Sequence, residues 1–413
     1  MSTATIPSFR RDAQVISLVG IAHGVSHFFH LILAPLFPWL KDAFSLSYAE
    51  LGLLMTMFFV VSGIGQALAG FVVDRVGARM VLFAGIAFLG LAALVLSQAQ
   101  NYAMLLAGSM LAGMGNSVFH PADFTLLNKR VSTPRLGHAF SVHGISGNIG
   151  WASAPVFLTG MAGLFDWRTA LQCAALIPFA LLLLLFTYRD VLRTDEVLSA
   201  VASSKKEPEQ TGHLLAFLRL PAVWMCFAFF LITALALGGI QSFASPSLRA
   251  IYGMSLASAT AGYTAYMLAS AAGMVWGGFL ASKTTRHERT IAFAFMAAGL
   301  FALIVASGIV TPLMAVILMG AIGFGAGIAG PSRDLLIRAA APKNATGRVY
   351  GVVYSGLDIG LSIAPLLFGA LMDADRPAWV FVGVGVFQCM ALLTALGVGT
   401  NTARRSAKLN LAG

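Results

Sequence analysis

Charged side chains are scarce in this chain. Lys, Arg, Asp and Glu make up 10% of its 413 residues, whereas hydrophobic residues make up 58%, and 43 glycines come in addition. Soluble domains carry about 25% charged residues, because a water-soluble protein of this length needs polar surface to cover its core. The composition therefore excludes a cytosolic enzyme and a disordered protein, and it predicts a chain that lies largely in lipid.

Cysteine is also rare. Cys173, Cys226 and Cys389 each lie inside a long apolar run, without the CxxC or Cys/His spacing of a zinc or redox site. The sequence contains no phosphate-binding loop of the GxxxxGK(S/T) type, which argues against an ATP-driven pump. We therefore expect neither a disulfide scaffold nor a cofactor.

Twelve apolar stretches are long enough to cross a bilayer, which requires about 20 residues per helix. They lie at 14–40, 49–73, 80–98, 103–128, 138–163, 168–187, 221–246, 257–281, 290–308, 312–338, 347–371 and 378–399. The predicted fold class is an all-α integral membrane protein with twelve transmembrane helices in two six-helix bundles.

The predicted domain order follows from the polar segments. It comprises an N-terminal tail at 1–13, a first bundle at 14–187, a linker at 188–213, a second bundle at 214–400 and a C-terminal tail at 401–413. The linker is the longest polar interruption in the chain.

The basic residues predict the orientation. The net charge is +10, but the basic residues recur in short clusters between apolar stretches, so we expect no nucleic-acid partner. With the N-terminus in the cytoplasm, 22 Lys and Arg residues fall on the cytoplasmic side and four on the outer side: Lys41, Arg168, Arg249 and Arg376. Because cytoplasmic loops carry the excess of Lys and Arg, we expect both termini in the cytoplasm.

The two halves of the sequence repeat at an offset of 210 residues. Gly113, Gly115, Pro121, Gly150 and Pro155 are matched by Gly323, Gly325, Pro331, Gly360 and Pro365. Span 4 thus matches span 10 and span 5 matches span 11, in the same direction. A parallel repeat of six spans is an architecture of membrane transporters.

Several ionisable side chains lie inside the predicted spans, where such residues are costly and are functional candidates. His23, His27 and His30 lie on one face of span 1, because their spacing follows the helical turn. His120 and Asp123 share a face of span 4, and His143 lies in span 5. Imidazole suits proton coupling, because its ordinary pKa is near 6.5.

Asp358 is the lone acid in span 11, and Asn148 is its counterpart in the first half. This difference fits a single coupling site, although a structural hydrogen bond between helices would also explain Asp358. Asp123 either takes part in coupling or pairs with Arg333 in span 10. Gln241 and Tyr266 are further cavity candidates, with interhelical hydrogen bonding as the alternative. No metal site is predicted, because no thiolate or carboxylate joins the histidines in span 1.

The loop between spans 2 and 3 resembles a known motif. Its residues Gly70, Asp74, Arg75, Gly77 and Arg79 match the GxxxDRxGxR loop of the major facilitator superfamily. Gly70 is expected to allow two helices to approach closely. The counterpart in the second half, Gly278 to Lys283, lacks the acid.

Three short stretches are similar to the fosmidomycin-resistance branch of that superfamily. They are Ser26 to His30, Asn116 to Pro121, and Gly147 to Gly150. The chain departs from the branch at His30-Leu31, where Asn-Asp is common, and at Ala122-Asp123, where Glu-Ser is common. The resemblance implies a bacterial inner-membrane carrier with spans 1, 4, 7 and 10 around a central cavity.

The predicted function is secondary active transport by alternating access, without enzyme activity. We expect a monomeric, proton-coupled exporter of a small drug-like or anionic compound, with His27, His120 and Asp358 changing protonation. Proton-coupled uptake of a small organic anion is the alternative, and a transporter-like membrane sensor is a more remote one. The expected partners are the substrate, protons and membrane lipids.

Overall fold

The computed structural model describes residues 9–193, 219–284, 286–340 and 346–393. Most of the predicted tail 1–13, most of the predicted linker 188–213 and the whole predicted tail 401–413 lie outside these residues.

Within the described residues, all regular elements are helical. The α-helices are α1 Phe9–His30, α2 Phe37–Phe44, α3 Tyr48–Val76, α4 Ala78–Ser97, α5 Tyr102–Asn116, α6 Phe119–Arg130, α7 Leu136–Leu164, α8 Trp167–Thr187, α9 Pro221–Tyr252, α10 Leu256–Lys283, α11 His287–Ala306, α12 Pro312–Ala340, α13 Thr346–Asp373 and α14 Ala378–Leu393. Short 3₁₀ turns at Ala34–Leu36 and Thr133–Arg135 precede α2 and α7.

Ten segments among the described residues are long and apolar enough to cross a membrane. The other two predicted spans are not among these ten segments. Span 5 corresponds to α7, which has 29 residues, and span 12 corresponds to the shorter helix α14. The helical membrane fold predicted from the composition is therefore confirmed. Spans 1 and 4 are each built from two successive helices, α1 with α2 and α5 with α6.

The chain divides into two compact units. The first contains residues 1–44 and 57–209, and the second contains residues 45–56 and 210–413, so that α3 contributes to both. In the first unit α1 packs on α7, and α4 packs on α5 and α8. In the second unit α9 packs on α13, and α12 packs on α10 and α11.

The repeat in the sequence is a repeat of helix contacts. A Cβ atom on Gly113 would collide with the carbonyl oxygen of Phe58 in α3, and one on Gly323 would collide with that of Tyr266 in α10. A Cβ atom on Gly115 would lie 2.9 Å from the carbonyl oxygen of Gly85 in α4. One on Gly325 would lie 2.9 Å from that of Ala294 in α11. The equivalent glycines therefore permit equivalent close contacts inside each unit.

Helix α1 begins at Phe9, five residues before the predicted start of span 1. Asp12 in its first turn is fully buried, and its carboxylate accepts hydrogen bonds from the Ser132 backbone and hydroxyl and from Arg135 Nη1, the last at 2.6 Å. This contact joins α1 to the connection between α6 and α7. Because Asp12 is paired across 120 residues, its sequence neighbours gave no sign of it.

Candidate functional site

Three histidines lie on one face of α1. His23, His27 and His30 follow one another at single-turn spacing, and their exposed fractions are 3%, 8% and 7%. This face lies against α7, because a Cβ atom on Gly147 would contact the rings of both His23 and His27. The three imidazoles are therefore inside the first unit.

Two further histidines join them from other helices. His143 of α7 stacks on His23 with the ring centroids 3.4 Å apart, and the ring of His120 in α6 lies 5.6 Å from that of His23. The ring centroids of His23 and His27 are 4.2 Å apart, and those of His27 and His30 are 4.6 Å apart. We refer to these five residues as the histidine cluster.

Asp123 supplies the acid of the site. It is fully buried on α6, and its Oδ2 lies 3.1 Å from Nε2 of His143. The sequence left open either coupling or a pairing with Arg333 for Asp123, and the structure pairs its carboxylate with His143 of the same unit. Because a single helical turn separates His120 from Asp123, α6 brings both to the cluster.

Hydrogen bonds fix which ring nitrogen carries the proton in two of these histidines. Nδ1 of His23 lies 2.7 Å from the carbonyl oxygen of His143, and Nδ1 of His120 lies 2.8 Å from Oε1 of Gln66. Both oxygens can only accept, so each Nδ1 is the donor. The Nε2 atoms of His23 and His120 are therefore the basic nitrogens when the rings are neutral.

His30 is satisfied at both nitrogens. Its Nε2 donates to Oδ1 of Asn116 at 3.0 Å, and its Nδ1 accepts from the indole nitrogen of Trp151 at 3.3 Å. This pattern holds the ring in one neutral tautomer. His30 therefore connects the histidine cluster to Asn116 at the end of α5.

Asn116 links three helices beside the cluster, a role that its place in the sequence did not indicate. Its Oδ1 also accepts from the hydroxyl of Ser26 at 2.5 Å, and its Nδ2 donates to the hydroxyl of Ser62 at 2.8 Å. The available signal was an amide at the end of an apolar run, three residues before the FHP sequence that begins at Phe119. A buried amide of this kind positions its neighbours, because each of its bonds is costly to lose.

Three buried polar atoms at this site have no hydrogen-bond partner among the described residues: Nε2 of His23, Nδ1 of His27 and Oδ1 of Asp123. An unsatisfied buried acceptor costs about 1–3 kcal/mol, so the site favours a species that can be shared between them. One ring nitrogen from each of His23, His27 and His120 lies within 4.8 Å of the others. Ring nitrogens at this spacing can share a proton, and they are also close enough to bind a metal ion together. The histidines of α1 alone had not indicated a metal site.

Two glycines of α7 keep the site closed on this side. A Cβ atom on Gly147 would lie 2.6 Å from Cε1 of His27, and one on Gly150 would collide with the carbonyl oxygen of Gly24 in α1. The ring of Trp151 stacks on His27 with a centroid distance of 4.2 Å. The backbone of α7 therefore lies directly against the imidazoles.

The other predicted residues lie outside this cluster. Asn148 is buried on α7, where its amide nitrogen donates to the carbonyl oxygen of Gly144 at 3.2 Å. Asp358 lies in α13 of the second unit and is half-buried, and the hydroxyl of Ser362 donates to its backbone carbonyl oxygen.

Three further predicted residues belong to the second unit. Gln241 of α9 is 6% exposed, and neither polar atom of its side chain has a hydrogen-bond partner among the described residues. Tyr266 of α10 is buried. The guanidinium of Arg333 in α12 lies 4.8 Å from the ring centroid of Phe230.

The loop motif joins α3 to α4. Gly77 has a φ of +91°, a backbone conformation that favours glycine at this position. Nη1 of Arg79 donates to the carbonyl oxygen of Arg189 at 3.2 Å. Asp74 and Arg75 are exposed. A Cβ atom on Gly70 would meet nothing within 4 Å, so the close helix approach expected at Gly70 is wrong in this structure.

Comparison with known proteins decides the family. The family model described as the Major Facilitator Superfamily matches residues 19–365. The chain belongs to the major facilitator superfamily. Members of this superfamily are transporters, so family and fold together indicate a multi-pass membrane transporter rather than an enzyme.

The curated relatives of this superfamily member match less than half of its length. The protein named "Probable nitrate transporter NarT" of Staphylococcus aureus, in strains JH9 and Newman, is 26% identical over 182 residues. These residues are 44% of this chain and 45% of that protein. The fosmidomycin-resistance branch is not confirmed by these relatives and stays a prediction.

A solved structure supports the superfamily fold. The crystal structure of a bacterial homolog to the human lysosomal transporter Spinster, in an inward-facing and occupied conformation, has a TM-score of 0.68 to this chain. It is 15% identical, and the alignment covers 97% of this chain and 98% of that chain. At this identity the likeness concerns the fold alone.

Proposed function

We propose that this chain is a proton-coupled transporter of a small anion and that the histidine cluster with Asp123 is its proton-binding site. The observation that carries the proposal is the group of three unpaired buried polar atoms on His23, His27 and Asp123. They belong to a chain whose family moves small solutes across membranes. An acceptor that is buried without a donor gains most from a proton.

The charges at the site favour movement of proton and anion in the same direction. The titratable groups that face one another here are His23, His27 and His30 of α1, His120 and Asp123 of α6, and His143 of α7. Each added proton makes this site more positive. Two unit charges 4 Å apart attract by about 4 kcal/mol at an effective dielectric constant of 20, so protonation strengthens anion binding. By linkage, a bound anion then strengthens proton binding by the same factor.

Export of a drug-like compound in exchange for protons is the second candidate. It is favoured by the three short stretches that resemble the fosmidomycin-resistance branch, at Ser26 to His30, Asn116 to Pro121 and Gly147 to Gly150. Exchange would require the substrate and the proton to compete, which suits a cationic compound better than an anion. The sign of the coupling therefore separates the two candidates.

Flux measurements in proteoliposomes test the coupling. Nitrate is the first anion to test, because the relatives with the NarT name are called probable nitrate transporters. A pH-sensitive dye sealed inside the vesicles reports proton movement when potassium nitrate, or a panel of membrane-impermeant carboxylates, is added outside. We expect the lumen to acidify as the anion enters. Alkalinisation on substrate entry would establish exchange, and no proton movement with any anion would refute the proposal.

Two substitutions assign the proton site. His120→Gln and Asp123→Asn should each lower proton-driven anion uptake by at least about tenfold, which corresponds to a loss of about 1.4 kcal/mol. Anion counterflow, which requires no net proton movement, should persist in both variants. His138→Gln is the matched control, because His138 lies on α7 and is exposed outside the cluster. Equal uptake by the control and the cluster variants would remove the cluster from the coupling role.

A further inference from the structure

A groove with a basic end and an apolar wall lies in the second unit, apart from the histidine cluster. It has a volume of about 460 Å³ and lies where α10 ends and α11 begins, with α12 alongside. Thr284, Arg286 and Arg289 line its polar end, and Leu280, Phe293 and Ile328 line its apolar wall. Its two ends therefore differ in chemistry, as the two ends of an amphipathic molecule do.

The polar end carries an excess of positive charge. Arg286 and Arg289 are exposed, and neither guanidinium forms an ion pair with another described residue. Lys283 adds a third basic residue at the end of α10, and Glu288 is the one acid in the sequence from 278 to 290. A group of opposite charge is therefore required to neutralise this end of the groove.

The backbone at the start of α11 also favours a negatively charged ligand. α11 begins beside the two arginines, and its N-cap residue Arg286 makes no side-chain hydrogen bond to the first turn. The N–H groups of Arg286 and Arg289 already donate to Thr284 Oγ1 and to the Arg286 carbonyl oxygen, so only the remaining N–H groups of the first turn and the positive end of the helix dipole add to the attraction of the guanidinium groups.

The repeat shows what this half of the chain has lost. The loop between α3 and α4 in the first half carries Asp74 among its basic residues, whereas the equivalent segment Gly278 to Lys283 has no acid. The basic residues of the second half therefore lack the internal carboxylate of their counterpart. An external anion can take its place.

The apolar wall indicates that this anion carries an alkyl chain. Phe293 is 69% exposed and Leu280 is 39% exposed, and both lie on helices long enough to cross the membrane. A free inorganic anion would leave this apolar surface uncovered, whereas an acyl chain would bury it.

We infer that this groove is a binding site for an anionic phospholipid, with the phosphate at Arg286 and Arg289 and an acyl chain along Phe293. Basic pockets between transmembrane helices bind lipid headgroups in this way. The predicted orientation places the groove at the cytoplasmic leaflet, where anionic headgroups attract basic residues.

Native mass spectrometry of the full-length protein tests the site. The protein is released from nanodiscs of phosphatidylglycerol and phosphatidylcholine, and the retained lipids are counted. We expect phosphatidylglycerol to be retained preferentially, and the double variant R286Q/R289Q to bind it at least about tenfold more weakly, because both positive charges at the polar end are removed. R376Q is the matched control, because Arg376 is an exposed arginine of the same unit outside the groove.

Two further arms make the outcome decisive. Phe293→Asn should also weaken phosphatidylglycerol retention, because it makes the apolar wall polar. Glycerol 3-phosphate, which offers the headgroup without a chain, should not displace the lipid. Equal retention of both lipids, unchanged binding by R286Q/R289Q with circular dichroism matching the parent, or displacement by glycerol 3-phosphate would each overturn the inference.

Discussion

Two glycines, which have no side chain, are as important to the site as its histidines. Gly147 and Gly150 place the backbone of α7 against His27 and against the carbonyl oxygen of Gly24. Any Cβ atom here would have to separate α1 from α7 and thereby open the histidine cluster. The repeat partner Gly360 makes the equivalent contact with the carbonyl oxygen of Leu231 in α9, which explains why this glycine recurs at the offset of 210.

Gly150→Ala is therefore expected to destabilise the protein. Inserting a methyl group into a close helix contact costs about 1–3 kcal/mol, so the apparent melting temperature should fall by several degrees. Tryptophan fluorescence of the detergent-solubilised protein during heating measures it. Gly160→Ala, on the same helix with nothing within 4 Å of its Cβ position, should be neutral or slightly stabilising. Equal melting of the two variants would contradict the close packing of α1 on α7.

At the scale of a helix, prolines did not determine where the spans break. The predicted span 4 is divided into α5 and α6, which Ser117 and Val118 separate. Pro121 explains part of this, because it cannot donate a hydrogen bond to the carbonyl oxygen of Ser117. Pro155 and Pro365, however, lie inside continuous helices. Helix α7 therefore continues through its proline, and the sequence did not distinguish the two outcomes.

Asp166 is the N-cap residue of α8. Its carboxylate accepts hydrogen bonds from the backbone N–H groups of Thr169 and Arg168, and the Thr169 hydroxyl donates a third. The backbone hydrogen bond from Thr169, followed by the one from its hydroxyl, lowers the pKa of Asp166 below its ordinary value of 3.8. Replacing such a cap by alanine costs about 1 kcal/mol, so Asp166→Ala should melt earlier than the parent at pH 7.

The pH dependence distinguishes charge from shape at this cap. A carboxyl group with a lowered pKa stabilises the fold above its ordinary pKa, and this contribution is lost as the pH falls through the lowered value. Asp166→Asn should therefore melt below the parent at pH 7, and the difference should shrink below about pH 4. A difference that stayed constant from pH 7 to pH 3 would show that the negative charge of Asp166 does not contribute.

For the whole molecule, coupling is expected to require a titratable group in each unit. The histidine cluster and Asp123 belong to the first unit, whereas Asp358 lies in the second, at the position where the repeat has Asn148. An acid inside a membrane helix is costly, and a role in proton movement would explain why it is there.

Asp358→Asn should abolish transport driven by a pH gradient and leave counterflow measurable, because the amide keeps the shape but cannot exchange a proton. Paired flux assays in proteoliposomes measure both activities. Asp375→Asn is the matched control, since Asp375 is exposed in the turn before α14. Normal pH-driven uptake by Asp358→Asn would assign Asp358 to structure alone.

Sequence alone determined the properties that depend on local pattern. The lipid environment followed from composition, the helical spans from apolar runs, and the duplication from the spacing of glycines and prolines. The shared face of His23, His27 and His30 followed from the helical period, because that period depends only on neighbouring residues.

Only the tertiary structure determined which helix faces contact each other. It stacked His143 on His23 and tied His30 to Asn116, contacts that join residues 120 and 86 positions apart. It also paired Asp123 with His143, a partner that the sequence had not indicated. Helix periodicity defines the face that a residue occupies but not the helix that it contacts. The contact partner depends on the packing of all the helices in a unit, and here the close approaches at Gly147 and Gly150 selected it.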